Sequence, residues 1–163
     1  MTSSLHRIRR ASLVFVFAAV ALTGAAHAED ACRSPGATYR DIEATLGIVP
    51  GFFKAFPEIG IAGGWAEFKA IQVSEQTALT PKVKQLIGLA VSAQVPCSYC
   101  VYFHTTVARA YGATDDEIKE AVALAAISRH WSTVLNGMAI DLPTFKSEVD
   151  TSLRMAAEKA PKK

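Results

Sequence analysis

The chain has no internal repeat, no low-complexity tract and no run of alternating apolar and polar residues. These absences exclude repeat architectures and give no footing for a β-sheet. It also lacks an excess of charge of either sign: 17 Lys and Arg stand against 15 Asp and Glu, a formal net charge of +2. Such a balance gives no electrostatic reason to invoke nucleic acid as a partner. Cysteine is scarce, with three in 163 residues, at positions 32, 97 and 100. What is present is a globular composition, half hydrophobic and a fifth charged, at a length that suits one domain.

The apolar run 11–26, broken by Ser12 and Thr23, is shorter than the roughly 20 residues that a membrane-spanning helix needs. It follows a segment with His6, Arg7, Arg9, Arg10 and no acid, and it precedes Ala26-His27-Ala28. Small residues at 26 and 28 are what a signal peptidase reads. Residues 1–28 are therefore expected to be a secretory signal, cleaved after Ala28. Arg9-Arg10 leaves general and twin-arginine export both open. Three basic residues and no acid leave with the signal, so the 135-residue remainder carries 14 basic and 15 acidic residues, net −1. The expected location is the periplasm, without stable membrane insertion. There neighbouring cysteines tend to be oxidised unless a partner reduces them.

The rest of the chain reads as helix. The expected layout is an N-terminal segment 29–47 with a short helix, a helical domain 48–157 of about six helices, and a flexible tail 158–163. Tyr39 to Leu46 is a short helix stopped by Gly47 and Pro50, and Gly51 to Phe56 is a compact aromatic turn. Ile61 to Val73 is a helix weakened at its start by Gly63 and Gly64. Thr80-Pro81 pairs an N-cap with proline at the first helical position, and the helix it starts runs to about Gln94. Pro96 opens the next helix, which ends near Tyr111-Gly112. Thr114 with Glu117 is a capping box starting a long helix to about Leu135. Asp141 or Thr144 begins a final helix reaching about Ala157. The fold class is all-α, with helices packed in hairpins.

The informative segment is Pro96-Cys97-Ser98-Tyr99-Cys100-Val101-Tyr102-Phe103-His104. Cysteines three apart at a helix start can close a disulfide across one turn, and one thiol can resolve a mixed disulfide formed by the other. The helix N-terminus favours a thiolate at Cys97. His104, four residues after Cys100 and on the same face, can take that thiol's proton. The dipole argument favours Cys97 as the attacking thiol and the histidine argument favours Cys100, so the order stays open. A merely structural disulfide competes with this reading. A zinc site has only three ligands in C-x₂-C-x₃-H, with Cys32 as a remote fourth. Haem attachment is disfavoured because Val101, not His, follows Cys100.

The stretch Leu79 to Val91, followed by Cys97-Ser98-Tyr99-Cys100 and Val101-Tyr102-Phe103-His104-Thr105, resembles the carboxymuconolactone decarboxylase-like superfamily. Within it, Cys-x-x-Cys-x-x-x-His matches the alkyl hydroperoxidase D-like branch. The resemblance covers about Ile48 to Asp141 and implies the helical disulfide-reductase fold, assembled as homotrimers or hexamers. It implies an oxidoreductase of peroxidase or peroxiredoxin type, acting on a hydroperoxide or on a partner's disulfide and restored by a thiol reductant or a redox partner protein. Cys100 would be the thiol activated by His104, and Cys97 would close the redox-active disulfide. No organic cofactor and no metal is called for. One departure matters: the branch usually has a glutamate 12 residues before the first cysteine, and here that residue is Gln85. Glutamine can orient His104 or a water but cannot relay a proton at neutral pH. The decarboxylase that names the superfamily lacks the cysteine pair, which disfavours lactone decarboxylation; an enzyme of that type on a small organic substrate is the alternative, beside a non-catalytic oligomer.

Other residues merit less. His130 beside Trp131 reads as a packed or surface histidine before a second proton-transfer group. Glu67 and Glu75 are candidates to replace the missing relay acid, and Cys32 is a candidate third thiol. Tyr99 and Tyr102 can shape a pocket but sit at helical spacing usual for core or interface. The cluster Phe52, Phe53 and Phe56 reads as core or subunit contact.

Overall fold

The computed structural model describes residues 34–160. The expected signal 1–28, Cys32 and the last three residues lie outside them. Among the described residues there are seven α-helices, one π-helical segment and no strand, so the fold is all-α. The chain divides into two compact units, with the boundary between Ser74 and Glu75. That boundary falls inside the 48–157 segment read from the sequence as one domain.

The first unit holds α1 (Pro35–Leu46), α2 (Gly51–Ala55), α3 (Glu58–Glu67) and the π-helical segment Phe68–Val73. Helix α1 begins four residues earlier than its apolar pattern indicated. Ser34 caps it, accepting the Ala37 N–H at 3.3 Å, and Pro35 supplies a ready-made helical φ. Gly47 ends it at φ 81°, returning its N–H to the Glu43 carbonyl. The aromatic turn is a short helix, α2. Its Phe53 is buried with Ile42, Ile61 and Trp65, and Phe53 meets the rings of Trp65 and Phe68 edge-on at 5.4 and 5.7 Å. Phe52 and Phe56 remain exposed, so only Phe53 fulfils the core expectation.

Helix α3 starts at Glu58, directly after Pro57, and passes through Gly63 and Gly64 without a break. It then loosens into the π-helical segment, where the Ser74 N–H reaches back five residues to the Lys69 carbonyl at 2.9 Å. The expected single helix to Val73 is thus two geometries in series. A cleft of about 810 Å³ in this unit holds Asp41, which accepts from the Trp65 indole at 2.6 Å and pairs with Lys69 at 2.7 Å. Those two donors hold the Asp41 carboxyl below its usual range, Lys69 contributing most.

The second unit holds α4 (Pro81–Gln94), α5 (Ser98–Ala110), α6 (Asp115–Gly137) and α7 (Leu142–Lys159). Helix α4 packs against both α5 and α6. Its bounds are those read from Thr80-Pro81 and Gln94, with the Thr80 hydroxyl accepting from the Val83 N–H at 3.4 Å. Pro96 does not open α5; Cys97 is its N-cap and Ser98 its first residue. After α5, Gly112 takes φ 79° while the Gly112 and Ala113 N–H groups satisfy the Arg109 and Ala108 carbonyls. Both bonds of the Thr114–Glu117 capping box form. Asp141, of the two candidates, caps α7. No helix among the described residues is long and apolar enough to cross a membrane.

Candidate functional site

The site is built by α4 and α5. On α4, Gln85, Gly88 and Ser92 fall on one face, at spacings of three and four residues. That face is turned inward: Gln85 is 2% exposed, Leu89 1% and Ser92 4%. The apolar stripe Val83, Ile87 and Val91 stays in solvent. The buried face thus mixes Leu89 with the polar Gln85 and Ser92, and burial of Gln85 requires a hydrogen-bond partner.

That partner is His104 on α5. Its Nδ1 lies 2.8 Å from Gln85 Oε1. A carbonyl oxygen only accepts, so Nδ1 donates here, and in the neutral ring Nε2 then keeps the lone pair. Burial lowers the His104 pKa below that of a free imidazole, because the charged form loses water. Burial thus favours the neutral, basic form of the ring. The Phe103 ring meets the imidazole edge-on at 5.1 Å.

One turn before His104, Cys97 and Cys100 are joined as a disulfide, with Cα atoms 5.3 Å apart. Cys97 Sγ also caps α5, accepting the Cys100 N–H at 3.2 Å. The sulfur therefore sits where the helix dipole and the Cys100 N–H both favour negative charge. Both cysteines are half-buried. Beside Cys97 opens a groove of about 560 Å³, flanked by Pro96, Val101, Tyr102 and Thr105, with no carboxylate, ammonium or guanidinium group in its wall. Such a site supports reversible sulfur chemistry: a pair that opens and closes within one helical turn, an imidazole base one turn along, and a flank open to an approaching molecule.

The other candidates are not drawn in. His130 packs its ring edge-on to Trp131 at 5.2 Å on the exposed side of α6. Glu67 closes α3 in the first unit, and Glu75 lies exposed before α4; the partner of His104 Nδ1 is Gln85. Tyr99 and Tyr102 are 87% and 75% exposed, so neither is core. Sequence reasoning missed Gly88. A methyl group at that position would overlap the His104 imidazole. The available signal was a glycine in the middle of an otherwise strong helix, which usually marks a packing or functional reason. Among the described residues no three His, Cys, Asp or Glu side chains gather to hold a metal ion.

The carboxymuconolactone decarboxylase family model matches residues 61–141, which contain the whole of this site. The crystal structure of the alkylhydroperoxidase AhpD core from Rhodospirillum rubrum is similar, with 30% identity and a TM-score of 0.59 over 66% of this chain and 82% of that one. The chain belongs to the carboxymuconolactone decarboxylase family, and its all-α fold is the one this core structure shares. A protein from Methanobacterium thermoautotrophicum is 34% identical over 55% of this chain and 97% of that one, with a TM-score of 0.45. "Uncharacterized protein 4 in cox locus" of Paracoccus denitrificans is 42% identical over 52 residues, 32% of this chain. The match spans about half of that curated relative, 47% of its length.

Proposed function

We propose that the protein is an exported thiol-dependent peroxidase or disulfide oxidoreductase working through Cys97, Cys100 and His104. The observation that carries this reading is a cysteine pair at the start of α5 with a Gln85-held imidazole one turn further on. In the peroxide reaction, His104 Nε2 takes the proton of the Cys100 thiol. The thiolate attacks the hydroperoxide and breaks its O–O bond, leaving Cys100 as a sulfenic acid, while the alkoxide takes the proton back from His104 and leaves as an alcohol. The Cys97 thiol then displaces water and closes the disulfide. A dithiol, free or on a redox protein, restores both thiols and becomes oxidised. In the disulfide reaction the same thiolate attacks one sulfur of the substrate disulfide to form a mixed disulfide, and the Cys97 thiol then attacks Cys100 Sγ, closing the pair and releasing the partner as a dithiol.

Gln85 favours the second variant. It orients His104 but carries no proton, so a reaction that needs orientation alone is less affected than one needing a relay. The exposed stripe Val83, Ile87 and Val91 supports assembly as a homotrimer or hexamer. The sequence of residues 1–28 supports periplasmic location.

A peroxide-consumption assay with a dithiol reductant tests this. Cys100→Ser should abolish turnover, and His104→Ala should lower it about 100-fold, at the low end for loss of a general base. Parent-like turnover in either variant would sink the reading. The redox potential of the pair separates it from an inert bridge: far below about −300 mV means a structural disulfide.

A further inference from the structure

Gly88 lies in the middle of α4, where glycine weakens a helix relative to alanine. Its φ is not positive, so backbone freedom does not explain it. Space does. A Cβ built on Gly88 would overlap Cε1, Nδ1 and Nε2 of His104, whereas one built on Gly112 or Gly137 in the same unit would meet nothing within 4 Å. The imidazole occupies the volume a side chain would need. One turn earlier Gln85 Oε1 receives the Nδ1 proton at 2.8 Å, and one turn later the Ser92 hydroxyl donates to the Gly88 carbonyl at 2.6 Å.

We propose that Gly88 is a positioning residue for His104: its missing side chain lets the imidazole settle on α4, where Gln85 fixes the Nδ1-protonated tautomer and leaves Nε2 as the basic nitrogen. The part of this that concerns the ring's place stands on geometry alone; that the Nε2 lone pair serves a cysteine thiol rests on the function proposed above. Gln85, Gly88 and Ser92 then form one device on the inward face of α4, a polar grip, a gap and a brace. Its components explain how that face buries polar groups beside Leu89.

The test is the sign of Gly88→Ala in two backgrounds. In the parent, the added methyl should displace the imidazole, lowering the unfolding midpoint. In His104→Ala the obstacle is gone, and the same substitution should raise the midpoint through helix propensity. Ring-nitrogen NMR shifts of His104 should report the Nδ1-protonated tautomer in the parent and a mixture in Gly88→Ala. Peroxide or disulfide turnover of Gly88→Ala should fall at least tenfold. A raised midpoint in both backgrounds with an unchanged tautomer signature would overturn the proposal. If Gly88→Ala does not fold alone, the His104→Ala pair still gives the decisive sign: a lowered midpoint there overturns it. Parent protein with no turnover but with these tautomer and stability results would keep the positioning role and defeat the thiol-enzyme reading instead.

Discussion

Lys82 on α4 and Glu117 on α6 meet at 2.6 Å, and the same carboxylate also accepts the Thr114 N–H at 2.8 Å. One side chain thus ties two helices together and closes the capping box that starts α6. The two roles separate by mutation. Glu117→Gln keeps a group able to reach the Thr114 N–H and loses only the ion pair, which is about one-third exposed on both sides. It should cost little, since solvent screens an ion pair this exposed. Thr114→Ala removes the N-cap and should cost about 1 kcal/mol. Urea midpoints measure both; a larger loss for Glu117→Gln than for Thr114→Ala would reverse the assignment.

Gln85→Glu places a carboxylate against His104 Nδ1. The imidazolium gains a counter-charge, so the His104 pKa should rise, opposing the burial that lowers it now. Proton transfer through position 85 becomes available, and peroxide turnover should increase. NMR titration follows the first effect and peroxide consumption the second. An unchanged turnover beside a raised pKa would show that relay is not what limits the reaction.

Stability should fall on acidification through His104. Its folded pKa lies below its unfolded value, so between the two the unfolded chain binds more protons. Linkage then makes stability rise with pH in that window. The contribution is fully present above the unfolded value near 6.5 and is lost as pH falls through the folded one. Denaturant midpoints from pH 7 to pH 5 should decline less in His104→Ala than in the parent. Asp41 and Asp141 add the same direction at lower pH, because Lys69 and Thr144 respectively hold their carboxyls below the usual range.

The first unit depends on few residues. Ile42 is fully buried in the cluster with Phe53, Ile61 and Trp65. Ile42→Ala should cost about 2–5 kcal/mol, as cavity-forming substitutions do. No α7 side chain is buried, and Leu153 is 65% exposed, so Leu153→Ala in the monomer should be nearly neutral. Thermal unfolding of both variants decides the contrast.

The helix ends were legible wherever capping chemistry was local. Thr80-Pro81, Gly112, Thr114–Glu117 and Asp141 each act within one turn, and each is found in place. The start of α1 was misplaced because Ser34-Pro35 carries that signal without any apolar residue following the period. The π-helical segment after Glu67 left no mark in the periodicity, since five-residue spacing over six residues cannot be told from an α-helix. The cysteine pair and His104 were visible as a spacing on one helix. The contact of His104 with Gly88 was not, because it joins two helices 16 positions apart in sequence. Nor did apolar content reveal which side of α4 faces inward: Val83, Ile87 and Val91 are the exposed side.

The sulfur of Cys97 also caps α5, through the Cys100 N–H. A disulfide sulfur is a weak acceptor, whereas a thiolate there is an anion at a helix N-terminus. Ionisation of Cys97 after reduction should therefore tighten the opening turn of α5, and the Cys100 amide should exchange with deuterium more slowly in the reduced protein, at a pH where Cys97 is a thiolate, than in the disulfide form. The backbone at that spot becomes a built-in gauge of electron content, readable without any substrate.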